Sequence, residues 1–170
     1  MLARNETIFK WALYAGATAV FFFLQGAILQ RVTLWGVIPF VFPILVAVMG
    51  TYEAALPSSI YGLVVGVLCD LLLFDHLHCF YTLIFPIVGL CAALVSRNLL
   101  PAGIPCAAIN SVLAFLLTDL FHCLLLWFAG QAAWTAGAWL FLREAAVSIL
   151  LVIPAALLFS AVFRRTHRDD

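Results

Sequence analysis

Residues 57–75 read PSSIYGLVVGVLCDLLLFD, from Pro57 to Asp75, and this stretch decides the fold. It is long and apolar enough to cross a bilayer as one helix. Ser59, Gly62 (or Leu63), Gly66 and Asp70 recur at three- and four-residue spacing, so they share one face. Two glycines four residues apart let another helix approach the backbone closely. Asp70 follows one turn later on the same face, and a carboxylate in hydrocarbon must face the protein interior or a wet cavity. The helix therefore presents a packed face with a polar tip, and other helices must cover it.

Composition agrees with that reading. Hydrophobic residues make up 66% of the 170 residues, charged residues 9%, and the mean hydropathy is +1.18. Soluble domains carry roughly a quarter charged residues, so the expected class is an all-α integral membrane protein. A chain of this length builds one compact bundle, residues 1–170, with no room for a soluble domain. No basic run could follow a phosphate backbone, so nucleic acid is not an expected partner. Cys69, Cys79, Cys91, Cys106 and Cys123 are scattered singly, without a CxxC pair. Neither a zinc site nor a disulfide framework is indicated, and buried free cysteines act as small hydrophobes.

Six spans are expected, over about 11–29, 34–50, 57–74, 80–95, 104–128 and 144–163. The first is too long for a signal-peptide core and has no clear cleavage site after it, so it reads as uncleaved. The second is interrupted at its start by Pro39 and Pro43, and reads either as a true span or as a re-entrant half-helix. Pro57 suits the first turn of the third. Asp75-His76-Leu77-His78 is read as a tight polar turn into the fourth, where Pro86 is expected to kink the helix. Residues 130–142 form an aromatic-bearing connection, and Arg143 and Glu144 open the last span.

With the amino terminus inside, Arg4, Lys10, Arg97, Arg164, Arg165 and Arg168 lie in the cytoplasm, and Arg31 and Arg143 outside. That six-to-two split follows the positive-inside rule, whereas a re-entrant second span gives five to three at best. Both termini are expected to be cytoplasmic. Trp35, Trp127, Trp134 and Trp139 then fall at the outer interface and Trp11 at the inner one.

The polar groups inside the membrane carry the functional question. Pro57 precedes Asp70 by thirteen residues and Pro105 precedes Asp119 by fourteen. Both spans run outward, so both carboxylates sit ~20 Å along their helices, in the outer half of the membrane. Asp119 and His122 are three apart and share a face. Arg143 and Glu144 enter from the same side. The expectation is an outer-half cluster of Asp70, Asp119, His122, Arg143 and Glu144, read as a register-fixing ion-pair network or as a contact for a partner or ligand. No catalytic residue is expected. Gly66-Val67-Leu68-Cys69-Asp70 is not the GxGD pattern of intramembrane aspartyl proteases, and no GxSxG elbow is present. A metal would need Asp119, His122 and His76 or His78 to converge, so no metal or cofactor is expected.

The order of these features resembles a known family. A proline-bearing short span (Pro39, Pro43) and a small polar loop precede Gly62-Leu63-x-x-Gly66-x-x-x-Asp70-Leu71-Leu72. A short turn, a span ending at Arg97 and two further spans to a basic tail follow. This resembles the rod shape-determining protein MreD family in length, span count and topology, and in motif over Pro39 to Arg97. The turn Phe74-Asp75-His76-Leu77-His78-Cys79 departs from the glycines that family members often place there. The resemblance implies a non-enzymatic scaffold of bacterial wall elongation in the cytoplasmic membrane. Its implied partners are an MreC-like protein, the MreB filament system, a RodA-like glycosyltransferase and a transpeptidase, besides membrane lipid. The family's fold is also said to resemble the substrate-binding S components of energy-coupling-factor vitamin transporters. That supplies the alternative, a vitamin-binding subunit with a pocket open outward.

Overall fold

The computed structural model describes residues 2–72, 79–128, 130 and 134–166, and is helical with no strand among them. The helices are α1 (Leu2–Ala27), α2 (Phe42–Tyr52), α3 (Ala55–Leu72), α4 (Phe80–Asn98), α5 (Ile104–Phe128), α6 (Trp134–Ser148) and α7 (Val152–Thr166). A 3-10 turn, Ile149–Leu151, joins α6 to α7 without a loop. Five stretches are long and apolar enough to cross a membrane: Ile8–Arg31, Ala55–Leu72, Phe80–Asn98, Ile104–Phe128 and Gly137–Thr166. The surface between them is aliphatic and aromatic, with Phe23, Leu56, Leu71 and Leu150 exposed. A soluble protein would not tolerate so much contiguous apolar surface, and the chain is a multi-pass membrane protein.

The stretch expected to span over 34–50 is built differently. Its helix covers only Phe42–Tyr52, 11 residues or ~16 Å of rise, about half of a hydrocarbon core. Pro43 stands in its first turn and Val41 precedes it. Upstream, Leu34 and Val37 form an isolated bridge around Trp35 and Gly36. Both of these turn residues have positive φ, 53° and 78°, as tight hairpin turns require. Pro39 has no backbone N–H to give a helical ladder, and the chain forms no helix until Phe42. Every residue from Phe42 to Thr51 is buried. α2 is the centre of the bundle, packed against α3, α4, α5 and α7.

Backbone outside a helix and buried in the bundle, as at Pro39 and Val41, needs hydrogen-bond partners. Gln25 of α1 supplies two: its amide Nε2 donates to Pro39 O (2.9 Å) and its Oε1 accepts from Val41 N (3.1 Å). The Ser148 hydroxyl accepts from Phe40 N (3.1 Å). At the other end of α2, Glu53 meets Lys10 of α1. α2 thus runs antiparallel to α1.

Two further differences concern boundaries. Residues 134–142, expected as connection, are helical, and Arg143 and Glu144 fall inside α6 rather than at a span's start. The sequence there, TAGAWLFLREAAVS, is rich in good helix formers and lacks proline. The expected turn Asp75-His76-Leu77-His78, the end of the span expected over 57–74, and the tail from His167 lie outside the described residues.

Candidate functional site

α3 and α4 form the tightest pair in the bundle, and the glycine face makes it so. A Cβ built on Gly66 would stand 2.5 Å from Tyr81 O, and one on Gly62 would collide with Phe85 O. Gly89 of α4 returns the contact, its Cβ position lying 2.6 Å from Ser58 O. The Ser58 hydroxyl donates to Gly89 O (3.0 Å). The face is therefore Ser58, Gly62, Gly66 and Asp70. Ser59 is half-buried beside it, and Leu63 is exposed. Ser58 rather than Ser59 makes the contact because it sits four residues before Gly62, in line with Gly66.

Asp70 ends that face by capping α4. Its Oδ1 accepts from Tyr81 N (3.2 Å), and its Oδ2 accepts from Thr82 N (2.8 Å) and Thr82 Oγ1 (2.5 Å). These amides belong to the first turn of α4, where backbone donors lack intrahelical partners and the helix dipole favours a negative charge. Cys79, at the capping position itself, has φ 63° and makes no side-chain cap. A side chain from the preceding helix does its work.

The expected outer-half cluster is consequently divided. Asp70 faces α4 backbone and not Arg143 or His122. His122 packs against Phe80 with ring centroids 5.4 Å apart and the rings tilted by 53°. Arg143 donates to Trp35 O (3.4 Å) and lies over the Trp139 ring at 5.0 Å. Asp119 and Glu144 do come within electrostatic reach of each other across α5 and α6. Asp119 Oδ2 is buried without a hydrogen-bond partner, at a cavity of about 180 Å³ lined by Leu116, Cys123, Trp134 and Phe141. Among the described residues no three histidine, cysteine or acidic side chains converge as metal ligands, and all five cysteines are free.

Two polar centres escaped the sequence reading. Lys10 and Glu53 form the one ion pair among the described residues (2.7 Å), and Tyr14 OH donates to the same carboxylate (2.9 Å). Glu53 has only the look of a loop residue in sequence, 43 positions from Lys10. The second centre joins three helices. Asn110 Nδ2 of α5 donates to Thr51 Oγ1 (3.0 Å) and Ala92 O (3.2 Å), and Ser96 Oγ donates to Thr51 O (2.8 Å). A buried asparagine in an apolar helix is the signal that could have pointed to it.

No protein-family model, curated protein or solved structure matches this chain. Its own geometry must carry the functional reading.

An apolar groove lies between α1 and α3. It holds about 480 Å³ and is lined by Trp11, Ala15, Phe22, Ile60, Val64 and Leu68, among others. Thr18 Oγ1 and Tyr61 OH, 2.7 Å apart, close its floor. Their mutual hydrogen bond satisfies both hydroxyls and leaves the lining apolar. Ala15, Ala19, Ile60, Val64 and Leu68 on its walls are exposed, so the groove opens sideways, on the flank of the two helices.

Proposed function

We propose that this chain is a non-enzymatic scaffold subunit of the MreD type, serving bacterial wall elongation in the cytoplasmic membrane. The observation that carries the proposal is the sideways groove between α1 and α3. A groove with apolar walls, entered from the bilayer, suits a partner's transmembrane segment better than a polar vitamin arriving from water. The engaged polar groups point the same way, since Asp70, Gln25, Ser58 and Ser148 bond backbone of neighbouring elements rather than line that opening. The sequence resemblance supplies the partners: an MreC-like protein, a RodA-like glycosyltransferase and a transpeptidase.

In this proposal the chain crosses six times, with both termini cytoplasmic. Residues 37–53 make the second crossing as a non-helical lead followed by α2. Its support is the sorting of contacts. Lys10 with Glu53 and Tyr52 with Phe163 gather at one end of the bundle. Gln25 with Val41 and Arg143 with Trp35 gather at the other. The positive-inside rule then orients the first end inward.

Depletion of the protein is expected to round the cells and disperse wall synthesis, with vitamin uptake unchanged. Tagged protein drawn from native membranes should retain an MreC-like partner, and bulky substitution at Ala15 in the groove should lose it. Reporters fused after Arg97 and after Arg168 should read cytoplasmic. Normal cell shape with defective vitamin uptake would overturn the scaffold, and an external Arg168 would overturn the six crossings.

A further inference from the structure

A second groove, of about 390 Å³, runs between α1 and α7. It extends from Val20 and Leu158 to Ala12 and Arg165, and Gly16 and Ala161 line its middle. The α1 wall from Ala12 to Val20 rises ~12 Å. At Gly16 a Cβ would meet no atom within 4 Å, so this is open space and not a packed seam. Apart from Arg165 the lining is hydrocarbon or glycine. Arg165 is exposed and has no carboxylate partner among the described residues, where Lys10 and Glu53 form the only ion pair.

An apolar slot that ends at a cation, Arg165, is the complement of an amphiphile with an anionic head. A partner helix packed here would have to take the guanidinium out of water without a counter-charge, which is costly. A phosphate diester offers the guanidinium paired acceptor oxygens and stays at the membrane surface. We propose that the α1–α7 groove binds an anionic phospholipid, with an acyl chain along Gly16 and Ala161 and the phosphate on Arg165. This site is separate from the α1–α3 groove and does not depend on the scaffold reading.

The test uses the full chain, stripped of lipid in neutral detergent. Thermal unfolding and retained lipid are measured with phosphatidylglycerol, with phosphatidylcholine and with inorganic phosphate. Phosphatidylglycerol should stabilise the protein more than phosphatidylcholine, and inorganic phosphate should not stabilise it. Arg165→Gln should weaken the phosphatidylglycerol response about fivefold, the weight of one basic side chain at an anionic surface. Arg164→Gln should leave it unchanged. Gly16→Leu should fill the slot and abolish the response to both lipids while helicity persists. Equal stabilisation by the two lipids would overturn the proposal. So would equal effects of Arg164→Gln and Arg165→Gln, which mean diffuse attraction to a basic tail, or an unaltered response in Gly16→Leu. Arg165→Gln lies at the surface and decides the matter even where Gly16→Leu does not fold.

Discussion

The carboxylate of Asp70 does for α4 what a capping side chain ordinarily does for its own helix. It meets two backbone amides and a hydroxyl of the α4 first turn at 2.5 to 3.2 Å. Removing it strands those donors in a poorly hydrated place, which costs on the order of 1–3 kcal/mol per lost group. Asp70→Asn keeps one carbonyl acceptor and the shape but loses the charge favoured by the helix start. Asp70→Ala should therefore unfold at markedly lower denaturant than wild type, with Asp70→Asn between them. Equal loss in the two variants in an SDS titration would mean that the acceptor kept by asparagine contributes nothing, and wild-type behaviour of both would mean that Asp70 does not cap α4. That Asp70 faces inward was legible in the sequence, from its place on the glycine face. Its partner was not, because backbone amides carry no residue identity, and any helix start nearby would have served. The same gap hid Gln25, whose two partners are the backbone of Pro39 and Val41.

Helix pairing turns on where glycine touches backbone and where it touches nothing. At Gly66 a methyl group would meet the α4 main chain at 2.5 Å, whereas at Gly16 it would meet open space. Main chain inside a helix cannot step aside as a flexible side chain can, so Gly66→Ala must push α3 off α4. Overpacking costs about 1–3 kcal/mol, and here it also pulls Asp70 away from its cap. Gly16→Ala should instead be neutral or mildly stabilising, since alanine is the better helix former by up to about 1 kcal/mol. Folded fractions of the two variants in detergent check the contrast, and equal loss would show that α3 and α4 do not meet where described. The seam itself was legible: spacing alone singled out Gly62 and Gly66, and the span over 104–128 coincides with α5. The first part of α6, residues 134–142, was missed because its glycine and tryptophans read as a connection, while alanine and leucine satisfied helical propensity.

Across the whole molecule the long apolar segments were easy to read from composition, because twenty apolar residues in a row leave few alternatives. α2 was harder, since its burial depends on partners from four other helices. A helix of 11 residues led by non-helical chain has a consequence for how the protein is made. As α2 leaves the ribosome it is too short to hold itself across lipid, and the amides before it have only Gln25 to bond. The hydroxyl that accepts from Phe40 N belongs to Ser148, 108 residues later in synthesis. Asn110, which ties Thr51 to α4, arrives 59 residues after it. Residues 32–53 must therefore wait at the membrane surface or inside the insertion machinery while later helices emerge. Nascent chains halted after residue 98 should leave a protease site placed at Trp35–Gly36 open to cleavage and α2 reactive to water-borne thiol reagents at an engineered Val46→Cys. Chains released at full length should protect that cysteine. Protection already complete at residue 98 would mean that α2 crosses without its later partners. Birth order and architecture run against each other here: the element at the centre of the fold is among the first synthesised, and the residues that bond it and its lead come 59 and 108 positions later.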